Sequence, residues 1–215
     1  MAGRAKTAIY LALPLVLWPL SFDVFSGRFV YCMTFSTLLL GSLTIAWFRG
    51  RLRWFKVNAV AVFLLGALFA FVMYAVFVGG DSLLRQLGLS GYVALVYSMV
   101  EHTIGKYELA AALIIIGIME ELYWRGGLQE LMRGVGGLVG REPWLLSMTY
   151  YTLVHLSTLN PALVAGAFAV GLIDGLLADK VGLAASTITH VLWLELMMVL
   201  LPPVKVMKDQ LAIVT

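Results

Sequence analysis

Glu120, Glu121 and Arg125 place two carboxylates and a guanidinium in a run that is otherwise apolar, and Leu109 to Met119 ahead of them carries no charge. A helix continuing through these residues brings ionisable groups to membrane depth, where each costs about 2.5 to 3.5 kcal/mol on insertion scales. Groups that expensive mark a functional site by default. Helical geometry divides them. Glu121 and Arg125 are four residues apart on one face and can pair, which lowers the cost of both. Glu120 is turned by about 100° from that face. It has no partner on its own helix, and a carboxyl without a counter-ion in apolar surroundings is suited to accepting or donating a proton.

The other groups able to move protons are histidines. His155 and His190 each lie among apolar residues, whereas His102 stands beside Glu101. With Glu120, His155 and His190 put three such groups on three separate helices, a set that can converge. Each also has an ordinary reading. A lone histidine on an apolar helix is more often a hydrogen-bonded packing residue, the Glu121 and Arg125 pair can be purely structural, and Tyr151, one turn before His155, can merely pack. Asp174 is a further carboxylate, read as packing or near-interface.

The elements that must position these groups are membrane helices. The chain has 215 residues, 61% hydrophobic and 13% charged, and apolar runs of roughly membrane length recur along it. The expected fold is all-α, a single polytopic transmembrane bundle over residues 1–215 with its motif-bearing core at about 109–201. Seven spanning helices are expected, or eight if 86–104 crosses. The spans begin at Thr7–Ser21, Phe29–Phe48 and Val57–Val78, the third ending at Gly79-Gly80-Asp81. The motif helix covers Leu109–Met132. Pro143–Leu159, Ala162–Ala178 and a last helix ending near Pro202 follow, with Gly166, Gly171 and Gly175 offering faces for close contact.

The net charge of +3 could point to nucleic acid, but the basic residues sit in short loops, where membrane topology explains them. No nucleic-acid partner is expected. Arg49, Arg51, Arg53 and Lys56, with Trp47, Trp54 and Phe55, read as a cytoplasmic turn with aromatic anchors. Whether 86–104 crosses decides the side of everything after it. Both topologies put nine basic residues inside and five outside, so charge does not choose between them. The single Cys32 cannot form an internal disulfide.

Glu120-Glu121-x-x-x-Arg125-Gly126, then Tyr151-x-x-x-His155, then His190 after Asp179-Lys180-Val181-Gly182-Leu183, resembles the ordered motifs of the CAAX-protease and bacteriocin-processing (CPBP) family, glutamate-dependent intramembrane proteases. The resemblance covers about Leu109 to Leu201. It implies that Glu120 and His155 hold and activate a water for attack on a peptide carbonyl. It also implies that His190 helps to stabilise the oxyanion, that Glu121 and Arg125 hold the site in shape, and that no metal or other cofactor takes part. The implied partners are the lipid bilayer and a membrane-anchored protein or peptide substrate.

Two positions depart from the family pattern. Tyr151 stands where phenylalanine is usual, and Leu194 stands where an asparagine commonly follows the histidine. Leucine cannot donate a hydrogen bond, so the second oxyanion donor is missing or comes from elsewhere. Glu195, if protonated, is one candidate, and a structural pairing of Glu195 is the equal alternative. A zinc-dependent protease is a weaker form of the same reading, since one glutamate and two histidines could be ligands. A non-catalytic immunity or assembly factor with a degraded site is the reading from another class.

Overall fold

The computed structural model describes residues 2–101 and 104–203. His102, Lys205 and Lys208 lie outside the described residues. Helix accounts for 88% of the described residues, and no strand occurs among them. Helix α1 (Ala2–Pro19) runs on into a π-helical turn (Leu20–Val24), followed by α2 (Phe29–Phe48), α3 (Ala59–Gln86) and α4 (Ser90–Glu101). Next come α5 (Lys106–Glu121), a π-helical stretch (Leu122–Leu128) and α6 (Gln129–Arg133) without a break. The chain finishes with α7 (Gly137–Arg141), α8 (Pro143–His155), α9 (Pro161–Lys180) and α10 (Leu183–Glu195).

Five of these helical segments are long and apolar enough to cross a membrane: Gly3–Val24, Ser26–Arg51, Ala59–Gln86, Pro161–Lys180 and Leu183–Leu200. Large apolar side chains such as Phe35, Val60, Phe63, Leu64 and Phe71 face outward, as lipid contact requires. The protein is an integral multi-pass membrane protein. The remaining two segments of the expected seven are those that carry the first two motifs. Glu120 and Glu121 interrupt the apolar character of the α5 run, and α8 has only 13 residues, about 20 Å of helix.

One boundary differs from expectation. Helix α3 does not stop at Gly79-Gly80-Asp81 but continues to Gln86, because Asp81 is held within the helix by Arg85 at 2.5 Å, one turn on. Gly88, with φ of +73°, supplies the left-handed turn after it. The ion pairs at one end argue against the eight-span topology. That topology requires the 49–58 loop and Arg133 on opposite sides of the membrane, yet Lys56 and Arg133 share one carboxylate, Asp179, at 3.8 and 2.7 Å. Arg53 reaches Glu130 at 3.3 Å at the same end. Helix α3 therefore leaves this end and the α5 run returns to it, with α4 at the far end. Burial, with Arg133 beside it, holds the Lys56 ammonium below its usual range, partly offset by Asp179.

Helix α10 is the central strut, packed on α3, α5 and α9, while α8 lies along α9 and α2 along α5. Glycine lets these axes approach. A Cβ on Gly117 would stand 2.9 Å from Val191, and one on Gly171 would stand 2.9 Å from Met148. Gly166 and Gly175 lie against Phe77 and Trp144 in the same way. The start of α10 is tied to the 49–58 loop, since Leu183 and Ala184 donate their N–H groups to the carbonyls of Arg53 and Trp54 at 2.9 and 3.0 Å. Two otherwise orphan donors of the first turn are thereby satisfied. Gly182, with φ of +126°, makes that approach possible.

Candidate active site

The i, i+4 pair read from the sequence is formed. Arg125 meets Glu121 at 2.9 Å, and both side chains are shut away from solvent. Arg125 also donates to the Val170 carbonyl of α9 at 3.0 Å and lies 4.0 Å from Asp174 on that helix. The guanidinium thus fastens the α5 run to α9. It sits in the π-helical stretch, whose wider turn alters the register of the side chains that follow, a feature frequent at functional sites.

His190 joins three carboxylates. Its Nδ1 lies 3.1 Å from Glu121 and 3.0 Å from Asp174, and its Nε2 lies 3.3 Å from Glu120. Glu120 therefore has no ion partner on its own helix but has one on α10. Asp174, fully buried, belongs to this cluster. The only trace of it in the sequence is a carboxylate on an apolar helix that needs a partner, and the spacing does not say which.

His155 is held differently. Its Nδ1 is 2.8 Å from the Tyr151 carbonyl, one turn back, and its Nε2 accepts from the indole N–H of Trp18 at 3.1 Å. With Nε2 accepting, Nδ1 carries the proton and donates to the carbonyl, which fixes the tautomer. Trp18 is fully buried and packs edge-on against both His155 and Trp124. Nothing in the sequence distinguishes it from an ordinary packing tryptophan.

The two histidines meet Glu120 across a shared cavity of about 140 Å³, walled by Glu120, Tyr151, His155, His190 and Leu194 among apolar side chains. The volume is enough for several waters, whose share in the liquid is about 30 Å³ each. Phe22, Phe29, Met33, Val96 and Val100 close it toward the α4 end. The Tyr151 hydroxyl lies 3.4 Å from Glu120 Oε2. Glu195 is not among the lining residues, and its Oε1 is buried with no partner among the described residues.

Residues 105–194 match the family model described as Type II CAAX prenyl endopeptidase Rce1-like. Over this stretch the chain is similar to the CAAX-protease family. The matched segment holds every motif residue and ends at Leu194, the position of the departure from the usual asparagine. The CAAX-protease similarity therefore rests on α5 to α10, while α1 to α4, including Trp18, fall outside the match. No curated protein and no solved structure matches the chain.

Glu121, Asp174 and His190 could also hold a metal ion, their donor atoms lying within 4.8 Å of one another. The number and type of donors would suit zinc with an open position. Arg125, however, already stands 2.9 Å from Glu121 as its counter-charge, and a divalent cation there would face a buried guanidinium. The arrangement fits a charge-balanced polar cluster better than a metal centre.

Proposed function

We propose that this protein is an intramembrane endopeptidase that hydrolyses a peptide bond near the terminus of a membrane-associated or lipid-modified protein. The observation that carries the proposal is the convergence of Glu120, His155 and His190, from α5, α8 and α10, on one small buried cavity inside an otherwise apolar bundle. In this reading Glu120 takes a proton from a cavity water as the water oxygen attacks the substrate carbonyl. His190, 3.3 Å away, shares that proton and helps to return it to the leaving amine. His155 bounds the far side of the cavity with its imidazole fixed by Trp18. Glu121, Arg125 and Asp174 keep His190 and Glu120 in place. The family similarity described above supports a substrate bearing a prenylated C-terminal Cys-aliphatic-aliphatic-X sequence. A second apolar cavity of about 280 Å³, which shares Phe77, Val96, Gly166 and Trp193 with the first, offers room for an apolar chain beside the reacting bond.

Leu194 favours a second reading, a non-catalytic immunity or membrane assembly factor, because it removes a hydrogen-bond donor from the cavity wall. One experiment separates the two. Purified protein is given a prenylated Cys-aliphatic-aliphatic-X peptide with a fluorophore and quencher across the expected bond, beside Glu120→Gln and His155→Ala, with and without chelator. Cleavage that Glu120→Gln abolishes and chelator leaves intact is the expected result. Equal turnover by wild type and Glu120→Gln would overturn the protease reading. Loss with chelator alone would reassign the chemistry to a metal.

A further inference from the structure

We infer that the Tyr151 hydroxyl is the oxyanion donor of this site, a catalytic residue that takes over the hydrogen bond Leu194 cannot make; the inference rests on the protease reading above. Attack of water on a carbonyl moves the C=O π pair onto oxygen, and that developing charge needs a donor aimed at it from the cavity wall. The polar groups on this wall are Glu120, Tyr151, His155, His190 and the indole of Trp193. Three of them are committed. Glu120 accepts the proton of the water, and His190 spends Nδ1 on Glu121 and Asp174 and Nε2 on Glu120. His155 directs its only N–H at the Tyr151 carbonyl and receives Trp18 at its other nitrogen.

Two donors are left, the Tyr151 O–H and the Trp193 indole N–H, and of the two it is the Tyr151 O–H that lies against the carboxylate activating the water. It reaches Glu120 Oε2 at 3.4 Å, a long contact that yields readily to a better acceptor. Its ring is held in position by Arg125, whose guanidinium lies 5.0 Å from the ring centre, and by Trp124 and His155 at 4.8 and 4.6 Å. The hydroxyl is thus presented by a fixed scaffold and requires no reorganisation as charge develops. Tyr151 donates a hydrogen bond and keeps its proton. The tetrahedral intermediate re-forms its C=O by expelling the amine, which leaves with the proton Glu120 took from the water. The other donor on this wall is the Trp193 indole N–H, which is buried without a partner among the described residues.

The test is Tyr151→Phe, which keeps the ring and its packing and removes only the donor. Turnover of the prenylated quenched peptide should fall on the order of a hundredfold, as for other single oxyanion donors, with KM little changed. Affinity for a phosphonate analogue of that peptide, which mimics the anionic tetrahedral state, should fall by the same factor, while affinity for the uncleaved ground-state peptide amide should not. Leu194→Asn should restore a substantial part of turnover in the Tyr151→Phe background and change the wild type little. Unaltered kcat in Tyr151→Phe, a loss confined to KM, or a loss produced instead by Trp193→Phe would overturn the inference while leaving the protease reading intact. Equal turnover by wild type and Glu120→Gln would overturn both.

Discussion

The indole N–H of Trp18 donates to Nε2 of His155 across 3.1 Å, joining the first helix of the chain to a cavity whose other polar walls come from the second half. The bond selects one tautomer of His155 and orients the ring. Trp18→Phe preserves a ring against Trp124 and His155 but deletes the donor. One neutral hydrogen bond contributes about 0.5 to 1.5 kcal/mol, so activity should fall on the order of tenfold, chiefly in kcat. The check is steady-state kinetics with pH profiles, since a freed Nε2 would also move the pH dependence. A variant with wild-type kcat and profile would reduce Trp18 to packing.

How far the sequence could carry this site depends on the range of each contact. The bounds of α2, Phe29–Phe48, and the pairing of Glu121 with Arg125 were legible because both depend on neighbours within a turn or on polar residues flanking an apolar run. The continuation of α3 through Gly79-Gly80-Asp81 was not, since two glycines followed by an acid read as a stop until Arg85 is seen to hold Asp81. Asp174 and Trp18 were missed for a different reason. Their partners His190 and His155 lie 16 and 137 residues away, and no local pattern encodes such a meeting. Glu120 and His155, expected to hold a water between them, line one cavity, and the imidazole in direct contact with Glu120 is that of His190, because α10 runs beside that face of α5.

Glu121 and Asp174 both touch His190, yet their replacement should not cost the same. Glu121 also bears the 2.9 Å ion pair with Arg125, whereas Asp174 is 4.0 Å from the guanidinium. Glu121→Gln leaves a buried guanidinium without its near counter-ion, at a cost of about 3 to 5 kcal/mol. Asp174→Asn removes one charged hydrogen bond, about 1.5 to 3 kcal/mol. Thermal unfolding in detergent should therefore rank Glu121→Gln below Asp174→Asn and both below the wild type. The reverse order would show that Asp174 is the principal counter-ion of Arg125.

Two glycines on different helices give opposite expectations for the same change. A Cβ on Gly127 would stand 1.9 Å from the Tyr10 hydroxyl, which is buried and bonded to Thr44 at 2.6 Å. Overpacking of that kind costs about 1 to 3 kcal/mol, so Gly127→Ala should lower the melting temperature. Gly79 has nothing within 4 Å of a would-be Cβ and lies inside the α3 helix. Gly79→Ala should leave the protein unchanged or more stable by about 0.5 to 1 kcal/mol, the helix penalty of glycine. A loss of stability in Gly79→Ala would mean that α3 does not pass unbroken through that point.

The ion pairs that bind the 49–58 loop to Glu130, Arg133 and Asp179 fix which loops share a side of the membrane. Helix α5 begins at the other end of the bundle, and the unbroken run from Lys106 to Arg133 spans roughly 40 Å at 1.5 Å per residue. Single cysteines at Arg51, Tyr107 and Leu138, all exposed, report this directly when placed in a Cys32→Ser background. A membrane-impermeant maleimide should label Arg51→Cys and Leu138→Cys from one side, the side that Arg49, Arg51 and Arg53 mark as cytoplasmic, and Tyr107→Cys from the other. Labelling of positions 51 and 138 from opposite sides would require α4 to cross, and would break the shared contact of Lys56 and Arg133 with Asp179 on which the arrangement of the site helices depends.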